Sequence, residues 1–194
     1  MTKQTVQYNI KYNENLVIQY TNTLSRLNRR VSDLNSQINQ YNNQISQLVS
    51  QINRLKEQIN ELNQLKNKYQ NLQNGFASRQ EKRVNRFNLN FSKKADFKFI
   101  LSYINGMSSL LVGSEYKHAY DGLGYAMNTI SNKIKSVQWE IDKLNSNINS
   151  QNRQIDSARR DINSCQNQIN RTNSDLAYRR QRITYWKNQL RYAT

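Results

Sequence analysis

The chain has 194 residues, of which 36% are hydrophobic and 22% are charged, and its mean hydropathy is −0.95. So little apolar material excludes a thick globular core, whereas a seam between two helices needs far less. A formal net charge of +16 predicts attraction to acidic proteins or polyanions. A single cysteine excludes an internal disulfide framework and any multi-cysteine metal site.

The first segment of the chain, residues 1–74, carries a heptad repeat of apolar residues. Apolar side chains return at alternating intervals of three and four residues, which is the pattern of a coiled-coil helix. β-branched residues prevail at a and leucine at d, a combination typical of two strands. The a positions are Val17, Leu24, Val31, Ile38, Ile45, Ile52 and Ile59, and the d positions are Tyr20, Leu27, Leu34, Tyr41, Leu48, Leu55 and Leu62. We expect one long helical arm.

Residues 75–126 are predicted to form a small helical tip. All five glycines of the chain lie in this stretch, and Asn74-Gly75 is typical of a helix end. Apolar residues at helical spacing predict a second short helix that ends at Val112-Gly113; they are Phe97, Ile100, Leu101, Ile104, Leu110 and Leu111. Seven basic residues alternate with phenylalanines in the same stretch: Arg79, Lys82, Arg83, Arg86, Lys93, Lys94 and Lys98.

The returning arm repeats the heptads over residues 127–194, and its helix is expected to begin at Ser114, an N-cap type of residue. Isoleucine and leucine fill one row to the end of the chain. The companion row begins with Ile130, Val137 and Leu144 but continues with small or polar residues, namely Gln151, Ala158, Cys165, Thr172 and Arg179. We therefore expect the end far from the tip to be looser, or to make room for a third helix.

These elements predict an all-α fold, a long antiparallel coiled-coil helical hairpin with a small helical tip. The preferred register pairs residues whose numbers sum to 189, such as Leu62 with Met127 and Leu48 with Ile141. A register one heptad away, with a sum of 196, is the alternative. A parallel homodimer is also compatible with this heptad pattern.

The arms, the tip turn Leu111-Val112-Gly113 and the tyrosines that follow it, Tyr116 and Tyr120, resemble the helical-hairpin partner proteins of LXG toxins. Those proteins belong to the Trp-Xaa-Gly hairpin superfamily of type VII secretion. The resemblance covers roughly residues 30–165, and Leu111 stands where that superfamily has tryptophan. It implies an adaptor that sheathes the helical N-terminal domain of a toxin and helps present it for secretion.

The sequence offers no catalytic constellation, so we expect a protein that is not an enzyme and that holds no cofactor or metal. His118 has no Asp, Glu or Cys at metal or relay spacing and is expected at the surface or packed in the tip. Cys165 occupies a d position and is expected in the core. Trp139 falls at f, on the outside of the hairpin, where it is either an interface residue or covered by a tip helix.

We therefore expect an adaptor or assembly protein whose partner is helical and acidic. The predicted partner-binding residues are Trp139, Phe97, Ile100, Leu101, Ile104, Leu111 and Gly113. The predicted basic patch combines the seven cations of the tip with Arg179, Arg180 and Arg182, near the aromatic residues Tyr178, Tyr185 and Tyr192. A basic structural protein associated with nucleic acid, a virion or a filament is the alternative, and a homo-oligomer is compatible with both.

The start of the chain lacks the apolar segment of a cleaved signal peptide, and no stretch is long and apolar enough for a membrane span. We expect a soluble cytoplasmic protein, with export by a route that needs no cleaved signal as the alternative.

Overall fold

The computed structural model describes residues 2–91 and 98–193, which form three α-helices. They are α1 (Lys3–Phe91), α2 (Lys98–Val112) and α3 (Ser114–Leu190). These described segments contain no strand. α1 packs antiparallel against α3, so the prediction of an all-α helical hairpin is confirmed. The predicted short helix before Gly113 and the predicted helix start at Ser114 are confirmed as well.

The chain divides into two compact units, and each contains a segment of both long helices. Unit 1 comprises Met1–Leu48 and Ser146–Thr194, and unit 2 comprises Val49–Asn145. α2 and the turn that connects it to α3 belong to unit 2. The boundary between the two units thus crosses both long helices, and the division into segments 1–74, 75–126 and 127–194 stays a prediction.

The core of unit 1 is formed by side chains at heptad positions, from the d row of α1 and from both the a and d rows of α3. α1 buries Val6, which is 1% exposed, together with Leu27 and Leu34. α3 contributes the buried residues Ile155, Ala158, Cys165 and Leu176. The prediction that Cys165 is a core residue is confirmed. The small side chains of Ala158 and Cys165 are buried as their larger neighbours are. The looser packing predicted for the end of the hairpin far from the tip stays a prediction.

A polar pair lies in the seam of unit 1, with one partner buried and the other half-buried. Asn13 is 3% exposed although it is polar. Its Oδ1 accepts a hydrogen bond from Nη1 of Arg179 at 3.4 Å, and its Nδ2 donates to the backbone carbonyl of Asn9 at 2.7 Å. Because both ends of the amide have partners, its burial costs far less than that of an unpaired polar group.

Two contacts at the edges of the seam allow the two predicted registers to be compared in unit 1. Nε2 of Gln151 donates to Oε1 of Gln44 at 3.0 Å, and Nζ of Lys187 lies 3.5 Å from Oε1 of Glu14. A register with a sum of 189 would place Glu14 opposite Asp175, about 18 Å along α3 from Lys187 at 1.5 Å per residue. A sum of 196 shortens that separation to about 7.5 Å, within reach of the two side chains. The ion pair therefore favours the alternative register in unit 1, whereas Asn13 and Arg179, whose numbers sum to 192, lie between the two registers.

Unit 2 has its apolar core where both heptad rows are aliphatic. Ile52 of α1 and the α3 residues Met127, Ile130, Val137 and Ile141 are buried there. Nearer the turn the seam becomes polar and aromatic. Gln73 is 8% exposed and donates from Nε2 to the backbone carbonyl of Tyr120 at 3.1 Å. The rings of Phe76 and Tyr116 stack with centroids 5.0 Å apart. The part of unit 2 near the turn is thus held by a hydrogen bond and stacked rings, whereas the part around Ile52 is held by aliphatic packing.

The predicted helix end at Asn74-Gly75 is wrong, because α1 continues without interruption to Phe91. A helix end of that type needs a glycine with positive φ, and no described glycine has one. Space around Gly75 is open, and a glycine inside a helix costs only about 1 kcal/mol relative to alanine. Good helix formers follow it, including Lys82 and Arg83, and they outweigh that cost.

The break between α2 and α3 depends on Gly113. A Cβ atom at this position would collide with the backbone carbonyl oxygen of Ser109. The carbonyl of Gly113 itself accepts the hydrogen bond from the amide of Lys117 at 3.2 Å, which starts the first turn of α3. Glycine is therefore required here for close approach of the backbone and not for an unusual φ angle.

The register can be tested with engineered disulfides in a Cys165→Ala background. We expect Leu27→Cys with Ile169→Cys to oxidise within one chain, because their numbers sum to 196. The control pair, Leu27→Cys with Ile162→Cys, is displaced by one heptad, about 10 Å at 1.5 Å per residue, which exceeds the roughly 7 Å limit for Cα atoms of a disulfide. Efficient oxidation of the control pair alone would restore the other register, and bonds only between chains would indicate a parallel dimer.

The turn can be tested with two glycine substitutions. Gly113→Ala should lower the free energy of unfolding by more than about 1 kcal/mol, because the new Cβ displaces the carbonyl of Ser109. Gly122→Ala lies inside α3 with open space around it and should raise that free energy by about 0.5–1 kcal/mol. Urea unfolding followed by circular dichroism measures both. Equal effects of the two substitutions would mean that Gly113 is not required for the turn.

Candidate functional site

The outer face of α3 in unit 2 carries two widely exposed aromatic residues. Trp139 is 67% exposed and Tyr125 is 75% exposed. Both occupy f positions, fourteen residues apart and about 21 Å along the helix axis at 1.5 Å per residue. Nζ of Lys143 lies 5.7 Å from the ring centroid of Trp139, one helical turn away. Both rings are mostly exposed and so have little packing against the described parts of the chain. The face that they define, the Trp139 face, is therefore the main candidate site.

Two sequence expectations bear on this face. The prediction that Trp139 lies on the outside of the hairpin is confirmed, and its exposure shows that none of the described helices covers it. His118, which the sequence placed at the surface or in the tip, is exposed at the f position that precedes Tyr125. Tyr125 was missed as a site residue. Its shared heptad position with Trp139 was the signal that could have identified it.

The predicted tip surface is only partly described. Leu101 is exposed on α2 and Ile104 is half-buried. Gly113 forms the turn analysed above. Phe97 lies outside the described residues, and the side chains of Ile100 and Leu111 are likewise outside them although α2 includes both positions. The tip therefore adds Leu101 to the accessible apolar residues of unit 2.

Four of the predicted basic residues share one face of α1 in unit 2. Arg79, Lys82, Arg83 and Arg86 line an open cleft of about 180 Å³. No salt bridge within the described parts of the chain involves any of them, since the only two such bridges join Arg159 to Asp156 and Lys187 to Glu14. Lys93 and Lys94 lie outside the described residues, and Lys98 is the first residue of α2, with its side chain not described. Four cations without acidic partners make this face attractive to anionic groups.

The arginines at the far end of unit 1 are largely engaged with rings of their own chain. The guanidinium of Arg182 lies 5.0 Å from the ring centroid of Tyr185 and 5.1 Å from that of Trp186. Arg179 lies 5.2 Å from the ring of Tyr178 and also donates to Asn13. Only Arg180 of the three predicted cations is exposed without such a contact. Arg179 and Arg182 thus form cation–π contacts with aromatic residues of unit 1.

Residues suited to chemistry do not converge in the described parts of the chain. No group of three or more His, Cys, Asp or Glu residues there is placed to hold a metal ion. Among these residues no helix combines the length and the apolar character that crossing a membrane requires. The features that remain are surfaces: the Trp139 face, the four-cation face and the exposed part of α2.

Comparison of the chain with protein-family models, with curated proteins and with solved structures finds no match. Function is therefore inferred from these three surfaces.

The exposure of Trp139 can be measured directly, because the chain contains only two tryptophans. A Trp186→Phe variant retains only Trp139, and a Trp139→Phe variant retains only Trp186, which is half-buried and packed against Tyr185 and Arg182. We expect red-shifted emission and stronger quenching by acrylamide for the variant that retains Trp139. Equal quenching of the two variants would show that Trp139 is covered in solution.

Proposed function

We propose that the protein is a non-catalytic helical adaptor that binds a helical segment of a partner protein along the Trp139 face. The observation that carries this proposal is the outward position of Trp139 in a fold that has no structural need for it. An antiparallel helix pair buries one stripe on each helix, so its stability gains nothing from a tryptophan at f. A large exposed aromatic residue is instead the usual centre of a protein interface.

The arrangement of the two aromatic residues fits a helix as the bound element. Tyr125 and Trp139 lie on one line of α3, and a helix packed alongside would cover both rings. Ring faces and edges supply large contact area at low conformational cost, because few torsions become fixed on binding. Such central aromatic anchors often account for most of the binding energy of an interface.

The charge of the chain favours an acidic partner. Basic residues outnumber acidic residues by 29 to 13. Cations at the rim of an interface mainly raise the association rate and exclude partners of like charge. The four unpaired cations of α1 supply such a field within unit 2. We therefore expect association to slow as salt screens that field.

A narrower role within this proposal is that of a targeting or chaperone partner of an LXG toxin in type VII secretion. It rests on the resemblance of the arms and of the Leu111-Val112-Gly113 turn. The collision that any Cβ at Gly113 would suffer supports the importance of this turn for the hairpin. Coexpression with the helical N-terminal domain of an LXG toxin tests the narrower role, because the resemblance implies a stable complex.

The Trp139 face can be tested by affinity capture with variants. Trp139→Ala should weaken binding of the partner by about 2 kcal/mol or more, because it truncates a central aromatic anchor. Helicity should not change, since the side chain is 67% exposed. The matched control is Tyr192→Ala, which removes an exposed aromatic residue from unit 1 and should leave capture unchanged.

Capture is performed with nuclease present and absent, which separates this proposal from its alternative. A partner protein that is retained after nuclease treatment and lost with Trp139→Ala supports the adaptor function. Binding that disappears with nuclease, or that depends steeply on salt without depending on Trp139, would instead indicate a protein associated with nucleic acid.

A further inference from the structure

The seam between α1 and α3 in unit 2 is unusual between Leu62 and Arg86, because the three α1 residues at a in this segment are polar. Lys66, Gln73 and Gln80 take the positions that isoleucine or valine occupies in preceding heptads. Lys66 is half-buried, Gln73 is buried and bonded to the backbone of Tyr120, and Nε2 of Gln80 is buried without a hydrogen-bond partner. This part of α1 thus turns a polar row toward α3.

The apolar residues between positions 62 and 76 form a second row that is displaced to one side of the polar row. They occupy d and g positions and follow the alternating intervals of three and four residues that define a helical stripe. The apolar members are Leu62, Leu65, Tyr69, Leu72 and Phe76, and the same spacing continues with Arg79, Arg83 and Arg86. We call these eight residues the d/g stripe of α1. Its first half is apolar and its second half is basic.

The apolar half of the d/g stripe is only partly covered. Leu72 is 60% exposed and Leu65 is 42% exposed, although α2 and α3 are both in place. In an antiparallel pair the g positions of both helices border the same side of the seam. On α3 those positions carry Ala119, Ala126 and Lys133, and the small side chains of the two alanines leave room for another helix beside Leu72.

We propose that the d/g stripe is the docking site for a third helix, supplied by an acidic protein partner. The helix is amphipathic, with apolar residues that pack on Leu65 and Leu72 and with carboxylates that meet Arg79, Arg83 and Arg86. This inference rests on the proposed adaptor function and adds to it a second surface with defined chemistry. The stripe spans residues 62–86, about 36 Å at 1.5 Å per residue, and this length corresponds to roughly seven helical turns.

Complementarity of charge selects this occupant over a second copy of the chain. The basic half of the stripe has no acidic partner among the described residues, and the whole chain carries a net charge of +16. A second copy would bring the same cations to the interface and be repelled. A nucleic acid would satisfy the cations but would leave Leu65 and Leu72 without apolar contacts. An acidic amphipathic helix satisfies both halves of the stripe.

The test uses a synthetic 25-residue helical peptide as the probe, with leucines at a and d in one half and glutamates at the corresponding positions of the other half. A matched peptide carries lysine in place of each glutamate. Fluorescence anisotropy measures the binding of each peptide to the full chain. We expect the glutamate peptide to bind, the lysine peptide to bind at least about tenfold more weakly, and the affinity to fall as salt screens the carboxylates.

Three variants separate the two halves of the stripe from the rest of the surface. Leu72→Glu and Arg83→Glu should each weaken binding of the glutamate peptide by about tenfold or more, because each removes one of the two kinds of contact. Ile18→Glu is the control, since Ile18 is an exposed aliphatic residue of α1 in unit 1 and should have no effect. Circular dichroism confirms that the helices remain intact in each variant.

Each outcome decides between the proposals. Binding of the glutamate peptide that is unaffected by Leu72→Glu would overturn the docking site. Dimerisation of the free chain that Leu72→Glu abolishes would assign the stripe to a second copy, and oligonucleotide binding that requires Arg83 but not Leu72 would assign it to nucleic acid. Capture of a partner that requires Trp139 but tolerates Leu72→Glu and Arg83→Glu would leave the adaptor function intact and remove only this inference.

Discussion

The antiparallel heptad seam between α1 and α3 is the interaction on which the rest of the structure depends. Over most of its length each long helix carries one narrow apolar stripe, and only the other long helix is long enough to cover it. Every functional candidate is defined by its position relative to that seam. Trp139 and Tyr125 are available for binding because they lie opposite it, whereas Arg179 is partly withdrawn because it reaches into the seam to bond Asn13.

The sequence predicts the two long helices but not the register in which they pair. Alternation of three and four residues predicts the arms, the start of α3 and the outward position of Trp139, since all three follow from helical periodicity. The register escaped the same reasoning because a slip of one heptad again sets apolar rows against each other. Polar contacts at the edges of the seam, Gln44 with Gln151 and Glu14 with Lys187, favour one of the two registers. Most edge positions carry uncharged amides, however, and these do not select a register in the sequence by charge pairing. Gly75 misled the prediction because helical context outweighs its small intrinsic cost.

The candidate site was predicted in part for the same reason. A single f residue, Trp139, was recognised because tryptophan is rare on such a surface, while Tyr125 was overlooked among twelve tyrosines. Leu65 and Leu72 were overlooked because the regular heptads of arm 1 were followed only to Leu62. Beyond that point the a row becomes polar and the apolar row moves to the side, a change that is visible in the sequence only when both rows are followed together. The two surfaces of unit 2, one aromatic and one apolar and basic, are the places at which we propose that partner helices dock.

Site-specific photocrosslinking at Trp139 tests the adaptor account most directly. A benzoylphenylalanine introduced at this position in the living cell reacts with whatever lies against the Trp139 face, and the same group at the buried residue Val137 is the control. The account predicts a covalent adduct with another protein from position 139, resistant to nuclease and absent from position 137. An adduct only with nucleic acid, or a crosslink only to the protein's own α2, would contradict it.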